Sequence, residues 1–271
     1  MSFAFPTEVV AEGGVKVVVP KLRAFLKKPS DYAPSKAPVF YNPMMEVNRD
    51  LAVLALQTFH QLVGRMLRVC EPLAGCGIRG VRLATEVDGV GKVILNDISS
   101  EAFRLTKFNI KKNGLVKKVL IENEDANLLL SRFAAPRKRF DYVDIDPFGS
   151  PMPYVDSAIR ATRSSGMFAL TATDLAPLCG VHPRACVRKY GGKPLRTGYC
   201  HELAIRLLAG ALAKSAAIHD VGINVLFSYS SKHYIRLYAT VDYGAKEADT
   251  SLKNLGFVIH CFSCILRNVL P

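Results

Sequence analysis

Apolar and polar residues alternate along most of the chain in a pattern that predicts β-strands separated by helices. The runs expected to be strands are apolar and rich in β-branched residues: 67–73, 92–96, 118–121, 140–145, 166–172, 222–229 and 234–241. Helical spacing occurs between most of them, at 78–87, 99–112, 125–133, 153–163 and 199–218. This alternation predicts an α/β fold, a Rossmann-like seven-stranded sheet with helices on both faces.

Further elements are predicted before, within and after this repeat. Two short strands around Gly13-Gly14 predict an N-terminal hairpin at 8–19, and a loop is expected at 27–43. A helix at 49–63 follows, with Asn48 or a neighbouring residue as its cap. The turn Ser230-Ser231-Lys232 predicts a hairpin that adds an antiparallel edge strand. A helix at 244–256 and a strand at 257–261 end the pattern.

Charge and cysteine content narrow the class of protein. The formal net charge is +13, from 36 Lys and Arg against 23 Asp and Glu, which indicates a polyanionic partner such as nucleic acid. No run reaches the ~18 apolar residues of a membrane span, and the N-terminus lacks a secretory layout. Seven cysteines without framework spacing favour reduced thiols. We therefore expect a cytoplasmic protein with no membrane partner.

A glycine loop between the first predicted strand and its helix indicates a nucleotide-type cofactor. Gly75, Gly77 and Gly80 form G-x-G-x-x-G, which lets a cofactor approach the backbone at a helix N-terminus. The motif alone fits NAD(P) as well as S-adenosylmethionine. Glu71 would repel a pyrophosphate, whereas it suits the cationic amino acid end of S-adenosylmethionine. An oxidoreductase using NAD(P) stays an alternative.

Acids that follow the next two strands fit the same cofactor. Asp97 ends the second strand, where a carboxylate can accept hydrogen bonds from both ribose hydroxyls. Its competing role is a helix cap before Ile98. Asp125, followed by Ala126, comes after the third strand and is placed to reach the adenine edge.

The segment Asp146-Pro147-Phe148 at the end of the fourth strand carries the predicted chemistry. It resembles the D/N-P-P-aromatic signature of amino-group methyltransferases, with the aromatic residue one position earlier. An exocyclic amine is a poor nucleophile, because its lone pair is delocalised into the base. A carboxylate and a backbone carbonyl that accept its N–H bonds would aim the lone pair at a sulfonium methyl. Asp146 would then take the proton, and Phe148 would stack on a flipped base.

At this point the sequence resembles the tRNA (guanine(26)-N(2))-dimethyltransferase family over nearly the whole chain. The likeness rests on these segments: Val39–Pro43, Asn48–Asp50, Gly77–Gly80, Leu95–Ser99, Asp146–Pro151, Thr171–Asp174, Pro177–Gly180, His182–Cys186 and Arg188–Tyr190. The resemblance implies a seven-stranded methyltransferase fold that transfers one or two methyl groups to N2 of a guanine in tRNA. Methylation of another base in RNA or DNA, or a catalytically dead RNA-binding module, stay alternatives.

The resemblance also implies roles for individual residues. Arg49, Arg79, Asp97, Asp125 and Ala126 would bind S-adenosylmethionine, and the two arginines are suited to grip its carboxylate. Phe40 would help to pack the base.

The segment from Leu175 to His201 contains no Asp or Glu, and its glycines and prolines predict a loop. Its cations Arg184, Arg188 and Lys189 would hold tRNA phosphates.

The chain departs from the family pattern at its C-terminus. Members usually have a C-terminal tRNA-binding domain, so residues 1–243 are expected to form the methyltransferase domain and 244–271 the start of a truncated second domain. Cys261 and Cys264 resemble half of a zinc site found in some relatives. A closed structural zinc site takes four ligands, and no Cys or His follows Cys264 in this sequence.

Overall fold

The computed structural model describes residues 3–26, 28 and 33–270. Their strands and helices, in chain order, are β1 Thr7–Glu12, β2 Val15–Pro20, α1 Glu46–Val63, β3 Leu67–Glu71, α2 Ile78–Glu86, β4 Val90–Asn96, α3 Ser100–Lys112, β5 Val119–Glu122, α4 Ala126–Arg132, β6 Phe140–Ile145, α5 Met152–Ala161, β7 Thr162–Ala172, α6 Leu175–Leu178, α7 Pro183–Tyr190, α8 Cys200–Ala217, β8 Val221–Ser231, β9 Tyr234–Tyr243, α9 Ala245–Lys253, β10 Phe257–His260 and β11 Arg267–Leu270. Short 3-10 helices lie at Leu22–Phe25, Ala33–Ser35 and Pro43–Met45.

Seven of the strands form one sheet in the order β5-β4-β3-β6-β7-β9-β8. These are the seven predicted strands, so the predicted fold class is confirmed. Strand β3 pairs in parallel with both β4 and β6, and β4 pairs in parallel with β5. Parallel pairing follows from the helical crossovers, because consecutive strands joined by a helix run in the same direction.

The antiparallel part of the sheet differs from the prediction in one respect. The hairpin at 230–232 exists, but β9 is the strand that runs antiparallel to its neighbours, and it lies between β7 and β8. The edge strand is β8. Residues of β9 are buried almost throughout and those of β8 mostly are not. This burial agrees with the position of β9 inside the sheet, between two neighbouring strands.

Two local expectations need correction. The cap of α1 is the nearby Met45 rather than Asn48, because the helix begins at Glu46. Asn42 caps the preceding 3-10 turn, accepting from the Met44 amide at 3.0 Å. The segment from Leu175 to His201 is not simply a loop, since it contains α6 and α7. Pro183 occupies the first turn of α7 and Gly191, with φ of 63°, ends it. Proline and glycine here mark the two ends of a helix. The loop predicted at 27–43 lies partly outside the described residues.

The chain divides into two compact units, Met1–Asp144 and Ile145–Pro271, and each is described by itself. The first contains the predicted N-terminal hairpin, β1 paired with β2, and the strands β3, β4 and β5. The second contains β7 to β11. Strands β10 and β11 form a separate antiparallel pair, of which β11 was not predicted. A domain boundary at 243/244 stays a prediction. None of the helices in the described ranges combines the length and the apolar character that crossing a membrane requires.

A buried cluster of ion pairs joins the N-terminal hairpin to α1 and α2. The Glu12 carboxylate, 4% exposed, accepts two hydrogen bonds from Arg49, each 2.6 Å long, and one of 2.9 Å from Arg82. Burial raises the pKa of Glu12, but the hydrogen bonds and charges of Arg49 and Arg82 outweigh burial and hold that pKa below its ordinary value. The ionised carboxylate is therefore the form that the fold stabilises.

Glu12→Gln is expected to remove part of the acid sensitivity of the first unit. A folded-state pKa below the unfolded value gives stability that is present above the ordinary pKa of 4.5 and is lost as pH falls through the folded pKa. The difference in unfolding free energy between the parent and Glu12→Gln should therefore shrink as pH falls below that value, in urea titrations at stepped pH. Glu8→Gln, an exposed change on the same strand, is the control. A difference that stays constant or grows in acid contradicts this role.

Candidate active site

The glycine loop between β3 and α2 is held in one conformation by α3. Gly75 and Gly77 have φ of 56° and 75°, in the left-handed region that favours glycine. A Cβ at Gly77 would lie 2.5 Å from a methyl group of Thr106, and one at Gly75 would lie 3.0 Å from the carbonyl oxygen of Phe40. Thr106 also donates a 2.9 Å hydrogen bond to the Gly75 carbonyl. The close approaches that require glycine are thus contacts of the chain itself, and Phe40 lies beside the loop.

Asp97 connects the end of β4 to this loop. Its carboxylate accepts hydrogen bonds from the amides of Gly75, at 2.8 Å, and Ser99, at 2.9 Å. Burial raises the pKa of Asp97, although these two amides oppose the shift. The cap of α3 is Ser99, which accepts from the Ala102 amide, so the alternative role of Asp97 as that cap is wrong. A half-buried carboxylate at a strand end beside a glycine loop is suited to bind neighbouring hydroxyl groups.

Two further polar residues fix the ends of β3 and β5. Asn96 is fully buried and donates 3.0 Å hydrogen bonds to the carbonyls of Pro72 and Glu124, so it ties the two loops to β4. Asp125 caps α4 by accepting from the amides of Asn127 and Leu128, and Ala126 behind it is buried. Sequence reasoning missed Asn96, whose signal was an amide side chain at the end of an apolar strand.

Glu71 and Arg79 belong to a second buried ionic cluster. Glu71 accepts a 2.9 Å hydrogen bond from the Gly80 amide and lies 3.8 Å from the Arg79 guanidinium. Arg79 also donates to Asp144 at 2.6 Å and to Asn48 at 2.7 Å. Tyr142 donates to the other oxygen of Asp144 at 2.5 Å. Asp144 and Asn48 were missed; their signal was polar residues on buried faces.

The two arginines predicted to bind the carboxylate of a cofactor are therefore hydrogen-bonded to carboxylates of the chain itself. Arg49 binds Glu12 in bidentate fashion and also donates to the Asn42 carbonyl at 3.2 Å, and Arg79 binds Asp144. Both side chains are about 5% exposed. The contact of these two arginines with a cofactor stays a prediction.

The segment Asp146–Pro151 lies near the start of the second unit and is hydrogen-bonded to the residue that follows β7. The Gly149 amide donates to the Thr173 hydroxyl at 2.7 Å, and the Thr173 amide donates to the Gly149 carbonyl at 3.0 Å. Gly149 has φ of 81°, which permits the turn. Asp146 is half-buried, Pro147 is buried and the Phe148 side chain is 68% exposed. A carboxylate at a strand end is thus followed by an exposed aromatic ring.

The predicted phosphate-binding cations lie on α7. Arg184, Arg188 and Lys189 are exposed, and Lys189 forms a 2.8 Å ion pair with Asp174. Tyr190 donates to the other oxygen of Asp174 at 2.5 Å, and burial together with this carboxylate raises the pKa of Tyr190. All three cations are therefore exposed, and Lys189 also contacts Asp174, the residue that Tyr190 binds.

The predicted half zinc site lies in the turn between β10 and β11. Cys261 closes this turn through backbone hydrogen bonds with Leu266 and Ile265, and Cys264 is exposed. The backbone amides of Cys264 and Ser263 lower the pKa of the Cys261 thiol. Sequence reasoning missed a different group, in which the ligand atoms of Cys179, Cys200 and His201 lie within 4.8 Å of one another.

The parallel strands, the glycine loop and the acids at the strand ends define a Rossmann-like methyltransferase fold. The sequence model of the family described as N2,N2-dimethylguanosine tRNA methyltransferase matches residues 13–270. The chain belongs to that family.

Individual relatives agree with this assignment. The tRNA (guanine(26)-N(2))-dimethyltransferase of Methanobrevibacter smithii is 43% identical over 97% of this chain and 65% of its own length. That of Pyrobaculum islandicum is 48% identical over 91% of this chain and 66% of its own length. The structure of Trm1 from Pyrococcus horikoshii with S-adenosyl-L-methionine superposes with a TM-score of 0.85 at 36% identity, covering 97% of this chain and 70% of that one. The chain thus spans about two-thirds of the length of these two curated relatives.

Proposed function

We propose that this chain transfers one or two methyl groups from S-adenosylmethionine to the exocyclic N2 of guanine 26 in tRNA. The observation that carries the proposal is the half-buried carboxylate of Asp146 directly after the buried strand β6, with the exposed ring of Phe148 two residues later. Relatives that match nearly the whole chain are named for this activity.

The first unit supplies the residues proposed to bind the cofactor. Bound S-adenosylmethionine supplies an electrophilic methyl group on its sulfonium. Asp97 accepts hydrogen bonds from the ribose hydroxyls, and the turn that Gly75 and Gly77 form places the loop against the cofactor. Glu71 offers negative charge to the cationic amino acid end of the cofactor. Asp125 and Ala126 flank the adenine. Arg49 and Arg79 bind the carboxylate of the cofactor or hold the loops that bind it. The Pyrococcus horikoshii relative, whose structure contains this molecule, supports the fit.

Asp146 is the proposed catalytic residue. Its carboxylate and the Pro147 carbonyl accept hydrogen bonds from the two N–H groups of the guanine amine. These hydrogen bonds orient the nitrogen lone pair toward the methyl group. As the N–C bond forms, the bond between the methyl group and the sulfonium would break and S-adenosylhomocysteine would leave. The amine nitrogen would then carry one proton too many, and Asp146 would accept that proton. A second transfer uses the remaining N–H bond in the same way. Phe148, which is 68% exposed, stacks on the base with help from Phe40.

Affinity for tRNA is proposed to come from the basic character of the chain. The formal net charge of +13 favours a polyanion, and the exposed Arg184 and Arg188 on α7 are suited to bind phosphates. Lys189 joins them once its contact with Asp174 opens. We also propose a cytoplasmic location, where a tRNA substrate and reduced thiols are found together.

A substrate that lacks one amine tests the position of methylation. Label from methyl-tritiated S-adenosylmethionine should enter an unmodified tRNA transcript. It should not enter a transcript with inosine in place of guanine 26, because hypoxanthine has no 2-amino group. Equal labelling of both transcripts contradicts the proposed acceptor and favours another base. Oxidation or reduction of NAD(P) without label transfer would favour the oxidoreductase alternative.

Asp97→Ala is expected to weaken S-adenosylmethionine binding by about 10- to 100-fold, since it removes a carboxylate that makes charge-assisted hydrogen bonds. The change is measured by isothermal titration calorimetry. Asp88→Ala, which alters an acid near the opposite, N-terminal end of β4, is the control. An unchanged dissociation constant in Asp97→Ala would refute the ribose role.

A further inference from the structure

A cysteine at the end of one helix meets an adjacent cysteine and histidine at the start of another helix in the second unit. Cys179 ends α6, and Cys200 and His201 are the first two residues of α8. Their three ligand atoms lie within 4.8 Å of one another, and the Cys200 Sγ is 3.9 Å from the His201 Nδ1. None of the three residues has a role in the proposed methyl transfer.

We propose that Cys179, Cys200 and His201 bind one Zn²⁺-class ion, with water in the fourth position. Sulfur and imidazole ligands without a carboxylate select zinc and similar transition metals over Mg²⁺ or Ca²⁺. Ligand atoms around tetrahedral zinc lie roughly 3.3–3.8 Å apart, given bonds of about 2.0–2.3 Å. The observed separations are close enough that small side-chain rotations bring the three atoms to that spacing.

The charge balance of the site is favourable for a divalent cation. Binding displaces one proton from each thiol to solvent, and the two thiolates then neutralise the metal, with His201 as a neutral ligand. The N-terminus of the 18-residue helix α8 stabilises negative charge on Cys200.

A metal at this position would join the two ends of the basic segment 180–199. That segment contains α7 with Arg184 and Arg188, and it connects Cys179 to Cys200. Closing it restricts the segment in the same way as a cross-link does. The site therefore anchors the phosphate-binding helix at both ends. The metal site does not depend on the proposed function; only this benefit for tRNA binding does.

Cobalt titration of the full chain tests the site. The purified protein is reduced, stripped with a chelator and titrated with Co²⁺, and one equivalent should produce a thiolate-to-metal charge-transfer band. Cys179→Ser, Cys200→Ser and His201→Ala should each weaken binding by at least about 100-fold, since even outer-shell changes cost 10- to 100-fold. The matched control is Cys261→Ser/Cys264→Ser, which removes the other pair and should keep the band. No band in the parent, or loss of the band in the control alone, overturns the proposal.

A measurement on the unaltered chain covers the case in which a variant fails to fold. Zn²⁺ should protect Cys179 and Cys200 from alkylation by iodoacetamide, read residue by residue by peptide mass spectrometry, and should leave Cys261 and Cys264 reactive. The opposite pattern assigns the metal to the β10–β11 turn and overturns the proposal. Isolation of Cys179 and Cys200 as a disulfide that chelators do not affect also overturns it, because the pair would then be a cross-link.

Discussion

Asp146→Ala is expected to lower the rate of methyl transfer to tRNA by at least about 100-fold, which is the usual effect of losing a positioned acid–base group. The physical reason is the loss of both functions of the carboxylate. Without it, one N–H bond of the amine has no anionic acceptor and the nitrogen lone pair is not oriented. The proton released on methylation must then pass to water. Single-turnover kinetics with labelled S-adenosylmethionine measure the chemical step directly.

Two comparisons separate this chemical role from a structural one. Asp146→Asn keeps the size of the side chain and one acceptor oxygen but cannot accept the proton, so it should be nearly as slow as the alanine variant. Asp249→Ala makes the same change of charge at an exposed position of α9 and should keep the parental rate. The dissociation constant for S-adenosylmethionine should change less than about threefold in all three variants, about 0.6 kcal/mol. Near-full activity of Asp146→Ala contradicts the mechanism.

Arg79→Met is expected to destabilise the chain by about 3–5 kcal/mol, the usual cost of removing one partner of a buried ion pair. Arg79 is 4% exposed, donates to Asp144 and Asn48, and lies 3.8 Å from Glu71. Its removal leaves two buried carboxylates without that cation. Because whole domains are stable by only about 5–15 kcal/mol, a loss of this size should be plain in urea unfolding.

The second variant of this experiment identifies the cause. The double variant Arg79→Met/Asp144→Asn removes the negative charge of Asp144 together with the guanidinium of Arg79. It should therefore recover part of the lost stability. Arg206→Met is the matched control, since Arg206 forms an exposed ion pair with Glu202 and should contribute at most about 1 kcal/mol. All measurements are made without S-adenosylmethionine, so a contact with the cofactor cannot explain the result. Equal stability of Arg79→Met and Arg206→Met contradicts the structural role.

Much of the fold could be predicted from the sequence. In most elements the hydrophobic periodicity and the turn residues at the ends indicate the same bounds. The strand β6 was predicted with its final bounds, since an apolar run there ends at Asp146-Pro147. The hairpin around Gly13-Gly14 was equally clear. The helices α6 and α7 escape prediction because their prolines and glycines indicate a loop, although Pro183 and Gly191 mark the ends of α7. The position of β9 inside the sheet depends on pairing partners that its own sequence does not specify.

The candidate site was less predictable than the fold, because hydrogen-bond partners distant in sequence decide it. The acids at 71, 97 and 125 could be located from their place after strands. That Asp97 accepts from the Gly75 amide, or that Arg49 is bound by Glu12 of the hairpin, could not be read from local pattern. The same holds for Cys179 and Cys200, which only the packing of α6 and α8 brings together. Long-range pairs of polar residues have no periodic signature.

Nucleoside mass spectrometry of tRNA treated with the purified chain tests the central proposal most directly. An unmodified transcript is incubated with S-adenosylmethionine, digested and compared with the untreated RNA. We expect N2-methylguanosine or N2,N2-dimethylguanosine, located at guanine 26 by oligonucleotide mapping. A methylated adenosine, a guanosine methylated elsewhere than at N2, or no methylated nucleoside from a chain that binds S-adenosylmethionine would contradict it.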